Sequence, residues 1–453
     1  MKSPYIGLKP NRFWRTGVSE AHPLTVPDLY QKKFAIAASD KIATAGSCFA
    51  QHVANYLRTN GFSVVDFEPS PVFLSPETAK EFGYGIYSAR YGNIYTVRQL
   101  LQLARDAGKG TVDALNVWTK GDRFYDALRP NIEPNGFDSP EEVMALREQH
   151  LIKVKKLFRR MSVFIFTLGL TEAWVDTRTG RVFPTAPGTI AGDFDPSIYE
   201  FKNFSYDEIH ADFAEFLDLV SARNRDLKII LTVSPVPLTA TATDNHVLIA
   251  TTYSKSVLRA VAGNLADTYP NVDYFPSYEM IASPWSKGFF YESNMRAVNS
   301  GGVAAVMRVF FDQHGTCEIP VAEEARSEEA ASERRRRRSQ KRTPRAERQR
   351  PATEEVAGER RRRRPSERSP GAERQIAAAE ETQPEAGGER RRRPLEGRAS
   401  GNERQRRERP SRTEAKAARA EVKAARAKAR AETTEAKADE VVCEEILLEA
   451  FNP

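Results

Sequence analysis

The stretch Ile42-Ala43-Thr44-Ala45-Gly46-Ser47-Cys48-Phe49-Ala50-Gln51-His52 decides how this chain folds. A short apolar run enters a glycine turn, two nucleophilic side chains follow, and a helix opens. Lysine, arginine and proline are absent from the stretch, so nothing opposes a helix that begins at Ser47. A strand that turns directly into a helix puts Ser47 and Cys48 at the strand's carboxyl end. There they lie against the positive end of a helix dipole, where an anion is stabilised. A thiol in that position has a depressed pKa. His52 lies one turn on, on the same helix face. Both residues also have a purely structural reading, Ser47 as an N-cap and Cys48 as a small buried side chain.

Outward from this stretch, apolar runs recur at residues 41–45, 63–67, 163–168, 228–233 and 272–278. They are continuous rather than alternating, which suits strands buried on both faces of a parallel sheet. Helical patterns lie between and after them, at 47–59, 97–107, 140–158, 206–224, 251–269 and 300–311. Strand–helix alternation implies an α/β fold with a doubly wound sheet. Ligands bind such sheets outside the carboxyl ends of the strands. The motifs at 46–48, 169–172 and 234–236 all fall at such ends. The segment 70–137 is rich in Gly, Tyr, Asn and Trp and has few strong helix signals. It is expected to be a long insertion that walls one side of the cleft.

Composition divides the chain near residue 320. Residues 1–320 hold 33 Lys+Arg and 34 Asp+Glu, whereas 321–453 hold 35 and 27. The second part has Phe451 as its one aromatic residue. A segment so poor in large apolar side chains cannot offset its ordering entropy, so it is expected to be disordered. The overall pI near 9.1 therefore describes an arginine-rich tail. Domain 1–320 is long enough for one large α/β core. The cysteines are Cys48, Cys317 and Cys443, an odd number far apart, which argues against a disulfide framework and for a reducing compartment. No apolar signal segment or membrane-spanning run is visible, so a cytoplasmic location is expected. No metal-ligand spacing and no phosphate loop is present, so no cofactor is expected.

Gly46-Ser47-Cys48-Phe49-Ala50 resembles the signature of the GSCFA family. Asn11-Arg12-Phe13-Trp14, Tyr91-Gly92-Asn93-Ile94-Tyr95, Phe166-Thr167-Leu168-Gly169-Leu170-Thr171-Glu172-Ala173-Trp174 and Thr232-Val233-Ser234-Pro235-Val236 resemble further GSCFA segments. The resemblance covers roughly residues 1–315. GSCFA domains resemble the SGNH/GDSL hydrolases, which implies a flavodoxin-like three-layer sandwich with a parallel sheet. It also implies hydrolysis or transfer of an acyl ester, here expected on a carbohydrate. Placing Gly46-Ser47-Cys48 over the superfamily's Gly-Asp-Ser puts Cys48 at the nucleophile, and a shift of one residue puts Ser47 there. The first placement is preferred because Gly46 and Phe49 both align. Gly92 and Asn93 resemble the glycine block of the oxyanion hole. Gly169, Thr171 and Glu172 stand where the superfamily carries Gly-x-Asn-Asp, with the Thr171 hydroxyl in place of the amide. Glu172 reads as a cleft acid or, preferably, a helix-capping acid.

The resemblance breaks at the base. The superfamily carries Asp-x-x-His near the end of the domain, and residues 291–300 contain no histidine. His246, in Thr243-Asp244-Asn245-His246, is the best replacement, with Asp244 close enough in sequence to orient it. Ser254 and Lys255, at the opening of the next helix, read as an anion-binding pair or a solvated cap. The competing function is a catalytically degenerate module that binds a glycan or small ligand and is tethered by its basic tail.

In that tail, Glu333 followed by five arginines recurs at Glu359 and, with four arginines, at Glu389. Glu347-Arg348-Gln349 recurs at Glu373 and Glu403 in the same register, so 321–412 is a tandem repeat. Without apolar periodicity it reads as a disordered ligand for RNA or another polyanion. Residues 413–440, rich in Ala, Glu, Lys and Arg, read as a basic helix. Residues 441–453 read as a short amphipathic helix. Val442, Ile446 and Ala450 form one row, and Cys443, Leu447 and Phe451 form the next. It is expected to dock into a groove on a protein partner or on this chain's own domain.

Overall fold

A computed structural model describes residues 3–22 and 28–315. The expectations for the arginine repeats, the 413–440 helix, the 441–453 segment and the boundary at 320 lie outside the described residues.

Nine strands and eight α-helices are described. In chain order they are β1 (Ile42–Gly46), α1 (Phe49–Thr59), α2 (Pro76–Glu81), α3 (Val97–Lys109), β2 (Val117–Lys120), β3 (Arg123–Asp126) and α4 (Pro140–Arg160). Then come β4 (Val163–Leu168), β5 (Glu172–Asp176), β6 (Arg181–Phe183), β7 (Tyr199–Asn203) and α5 (Tyr206–Ser221). The last are β8 (Lys228–Val233), α6 (Val247–Thr268), β9 (Val272–Tyr274), α7 (Ser277–Ala282) and α8 (Ser300–His314).

The central sheet is parallel, in the order β1-β4-β8-β9. The apolar run at 63–67 forms no full strand. It makes one parallel bridge, Val64 to Ile42, on the outer edge of β1. From β1 the chain therefore goes first to one side and then to the other. This is a switch point, and it places a crevice at the carboxyl ends of β1 and β4.

Alternate residues of each strand serve two separate cores. Ala43, Phe164, Phe166, Ile229 and Leu231 face α3 to α6, meeting Leu100, Leu157, Phe213 and Leu258. Ile42, Val163, Ile165 and Ile230 face the other way, toward Phe49 and Leu57 of α1, Ile281 of α7 and Phe310 of α8. The result is three layers, helix–sheet–helix. Each Phe or Leu so buried contributes about 1.5–3 kcal/mol before entropy is counted.

Two further local expectations are corrected. The run at 272–278 is a strand only through Tyr274, and α7 begins at Ser277 just after Pro276. The segment 70–137 is more regular than expected. Besides the expected helix, which is α3 and opens on a complete capping box of Thr96 and Gln99, it holds α2 and the antiparallel β2–β3 hairpin. A second sheet, β6-β5-β7, is antiparallel. No described helix is long and apolar enough to cross a membrane.

Candidate active site

Gly46 ends β1 with φ +138°, a conformation that side chains avoid. A Cβ there would stand 2.4 Å from the Thr167 carbonyl oxygen on β4. Only glycine lets the two strands stay in register at Gly46 and Thr167. The next residue, Ser47, is 3 % exposed, and its Oγ has no hydrogen-bond partner. The structural reading of Ser47 as a side-chain cap therefore fails. Its carbonyl, not its hydroxyl, accepts from Ala50 N–H, and α1 starts at Phe49 without a side-chain cap. Cys48 is buried beside it and forms no disulfide among the described residues.

The 87–95 segment forms one wall. Gly92 turns with φ +69°, and Ile94 N–H then donates to the Gly46 carbonyl at 2.9 Å. Tyr87 Oη donates to the Ser47 carbonyl at 3.1 Å and to Asn93 Oδ1. Gln51 of α1 donates to the same Asn93 oxygen at 3.4 Å. So Gly92 and Asn93 do reach the nucleophile turn. Tyr87 and Gln51, which join them there, carry no sequence signal beyond being polar residues in apolar surroundings.

The turn after β4 forms the opposite wall. A Cβ at Gly169 would lie 3.1 Å from Ser47 Cβ and 3.0 Å from the Tyr95 carbonyl. The N–H groups of Gly169 and Leu170 both donate to that carbonyl, at 3.1 and 2.9 Å. Thr171 N–H donates to Ser254 Oγ at 3.1 Å, and Lys255 Nζ donates to the Gly169 carbonyl at 2.6 Å. The three backbone donors of the turn are thus spoken for. The Thr171 hydroxyl is buried and has no partner. Ser254 and Lys255 were expected at a helix opening, as an anion-binding pair or a solvated cap. They instead lie about two turns into α6, both buried, and hold this turn from behind.

Glu172 caps no helix: it is the first residue of β5. Its Oε1 accepts from Thr241 Oγ1 at 2.9 Å, which ties the β4–β5 turn to the loop after β8. Burial pushes its carboxyl up, against the opposing hydrogen bonds from Thr241 and Ala242. His246 is exposed and is the N-cap of α6, with Nδ1 accepting from Leu248 N–H at 3.1 Å. The 291–300 segment does come to the end of β8, where Tyr291 Oη donates to the Pro235 carbonyl at 2.7 Å, but it brings no imidazole there. Among the described residues, no group of three or more His, Cys, Asp or Glu has a metal-holding arrangement.

The geometry thus joins Ser47, Cys48, Gly92, Asn93, Gly169, Thr171, Ser254 and Lys255 around the ends of β1 and β4. Glu172 sits at the rim and His246 on its own helix cap. No curated protein matches the chain. Residues 41–310 match the GSCFA family, which spans the sheet and every wall of this site, and the chain belongs to that family.

Proposed function

We propose that this protein hydrolyses or transfers an acyl ester, a carbohydrate ester being the expected substrate class, with Ser47 as the nucleophile. The observation that supports this is the Ser47 hydroxyl itself, buried at the carboxyl end of β1 with no partner. An orphaned buried hydroxyl costs stability, and a catalytic role is one reason a protein retains such a group. This favours Ser47 over Cys48. Ser47 Oγ would attack the ester carbonyl, and its proton would pass to the departing alkoxide, which leaves as the alcohol. Water or an acceptor hydroxyl would then take the acyl group from Ser47. The Thr171 hydroxyl is the available donor to the oxyanion. The Lys255 ammonium behind Gly169 adds positive charge where negative charge develops. His246 serves as a base in this reading only if its ring releases the Leu248 N–H and comes within hydrogen-bond reach of Ser47 Oγ.

A binding module without turnover is the second reading, favoured by the missing imidazole at 291–300 and by the capping role of His246. The full chain incubated with short-chain aryl esters and a fluorophosphonate separates the two. Turnover with labelling at Ser47, lost by about 10³-fold or more in Ser47→Ala and kept in Cys48→Ala, supports the hydrolase. Loss in Cys48→Ala alone moves the nucleophile to the thiol. Absence of both turnover and labelling leaves the binding module.

A further inference from the structure

The N-terminal segment stands apart from the site just described. Ile6 and Trp14 are each 73 % exposed, and Tyr5, Leu8 and Phe13 are exposed with them. So many large apolar side chains on one short segment mark a surface that something covers. Beside them runs a groove of about 800 Å³, lined by Leu8, Trp14, Val18, Leu29 and Trp285. Lys9 and Arg12 line the same groove. Of the acids there, Glu279 is already engaged by Arg259 and by the Tyr274 hydroxyl, which leaves Asp28 against two cations.

We propose that residues 441–453 of this same chain occupy this groove. Their sequence is the complement of the lining. Val442, Ile446, Leu447 and Phe451 supply an apolar face, and Glu444, Glu445 and Glu449 supply acids for Lys9 and Arg12. An isolated helix of that length is marginal in water and gains its stability from a groove. Reach is no obstacle. Residues 316–440 connect the two, and a tether of 125 residues can reach at most about 400 Å. A domain of about 300 residues has a radius of gyration of only about 20 Å. Tethering on that scale gives an effective concentration that a free partner seldom reaches. The occupant is therefore this chain's own terminal segment, whatever chemistry the Ser47 site performs.

Cross-linking in the full chain tests this. In a Cys317→Ser background, Gln31→Cys places a thiol in the groove lining, and Cys443 is the natural thiol of the segment. Leu248→Cys, on exposed α6, is the control position. A short bismaleimide should join Gln31→Cys to Cys443 about tenfold faster than it joins the control, at a rate independent of protein concentration. Adding Leu447→Asp should lower the rate to that of the control. Hydrogen exchange gives a second reading without a groove substitution: deleting 441–453 should speed exchange across residues 5–18. Equal cross-linking at both positions, or unchanged exchange after the deletion, would overturn the proposal. Cross-linked dimers whose rate rises with concentration would also overturn it, and would assign the groove to a second copy.

Discussion

Arg129 and Ser47 are both almost fully buried polar side chains, and their surroundings are opposite. Arg129 donates to Asp126 at 2.6 Å, to the Arg90 carbonyl at 3.0 Å and to the Leu146 carbonyl at 3.2 Å. Asp126 in turn faces Arg147, Arg147 faces Asp106, and Asp106 receives a bidentate pair from Arg181 at 2.8 and 3.1 Å. Each buried charge in that chain meets its opposite. Around Ser47 the hydroxyls of Thr44, Thr167 and Thr171 are likewise buried, and none has a partner. Burying a polar group is tolerable when a partner replaces water, and otherwise carries a penalty of about 1–3 kcal/mol. The satisfied network is scaffold. The unsatisfied cluster retains polar groups that the fold does not use, at the strand ends where this sheet type binds ligands.

The largest effect should come from breaking the satisfied side. Arg129→Met leaves Asp126 as a buried carboxylate with one distant cation, and should lower stability by about 3–5 kcal/mol. Urea denaturation measures it. A loss below about 1 kcal/mol would erase the contrast, since the network would then be worth no more than surface pairs. Gly46→Ala comes next. It forces a Cβ into the Thr167 carbonyl at a positive φ, and a loss of about 2–3 kcal/mol is expected. A variant with wild-type stability would mean that the β1–β4 register can shift, and the crevice with it.

Protonation probes the same scaffold without a substitution. His150 is wholly buried, with Nδ1 2.6 Å from Glu68 Oε2. Burial, helped by the Arg129 charge, pushes its imidazole down to about 4, against the pull of Glu68. The folded state therefore binds this proton later than the unfolded chain does. Stability is retained above pH 6.5 and should fall by about 2–3 kcal/mol as pH drops from there to about 4. His150→Phe should flatten that interval relative to the wild type. If both proteins lose stability in parallel, another group is responsible.

Much of the frame was legible because its signals are local. The runs at 163–168 and 228–233 are strands from end to end, since a two-sided buried strand must be apolar throughout. The glycine turn at Gly46 was legible for the same reason: one residue answers to one steric need. The β6-β5-β7 sheet was not legible, because its strands are only three to five residues long and β7 returns to β5 across a long intervening loop. The roles of Ser254 and Lys255 were hidden by a helix that starts earlier than its apolar pattern, at Val247, so that two polar residues expected at its opening are carried inside. His246 looked like a base because imidazoles are scarce here. Whether an imidazole faces a nucleophile or its own helix cap is decided by a backbone path that sequence spacing does not fix.

The smallest expected stability effect is the sharpest test of the comparison, because its sign differs from the others. Ser47→Ala removes a hydroxyl that makes no hydrogen bond and leaves a methyl group in surroundings formed by Gly169, Tyr95 and the start of α1. Nothing in the fold is disconnected, since Tyr87 and Ala50 bond to the Ser47 backbone carbonyl, which alanine keeps. The penalty of a buried unpaired hydroxyl is relieved, so stability should hold or rise by up to about 1 kcal/mol. A matched Thr232→Val change should go the other way. The Thr232 hydroxyl is buried at 2.6 Å from Ser277 Oγ, and removing it leaves Ser277 Oγ with only its bond to the Val233 carbonyl, at a loss of about 1 kcal/mol. Thermal or urea unfolding of the two variants side by side reads both signs. A destabilised Ser47→Ala would show that the hydroxyl supports the fold, and the contrast with Arg129 would no longer separate scaffold from site.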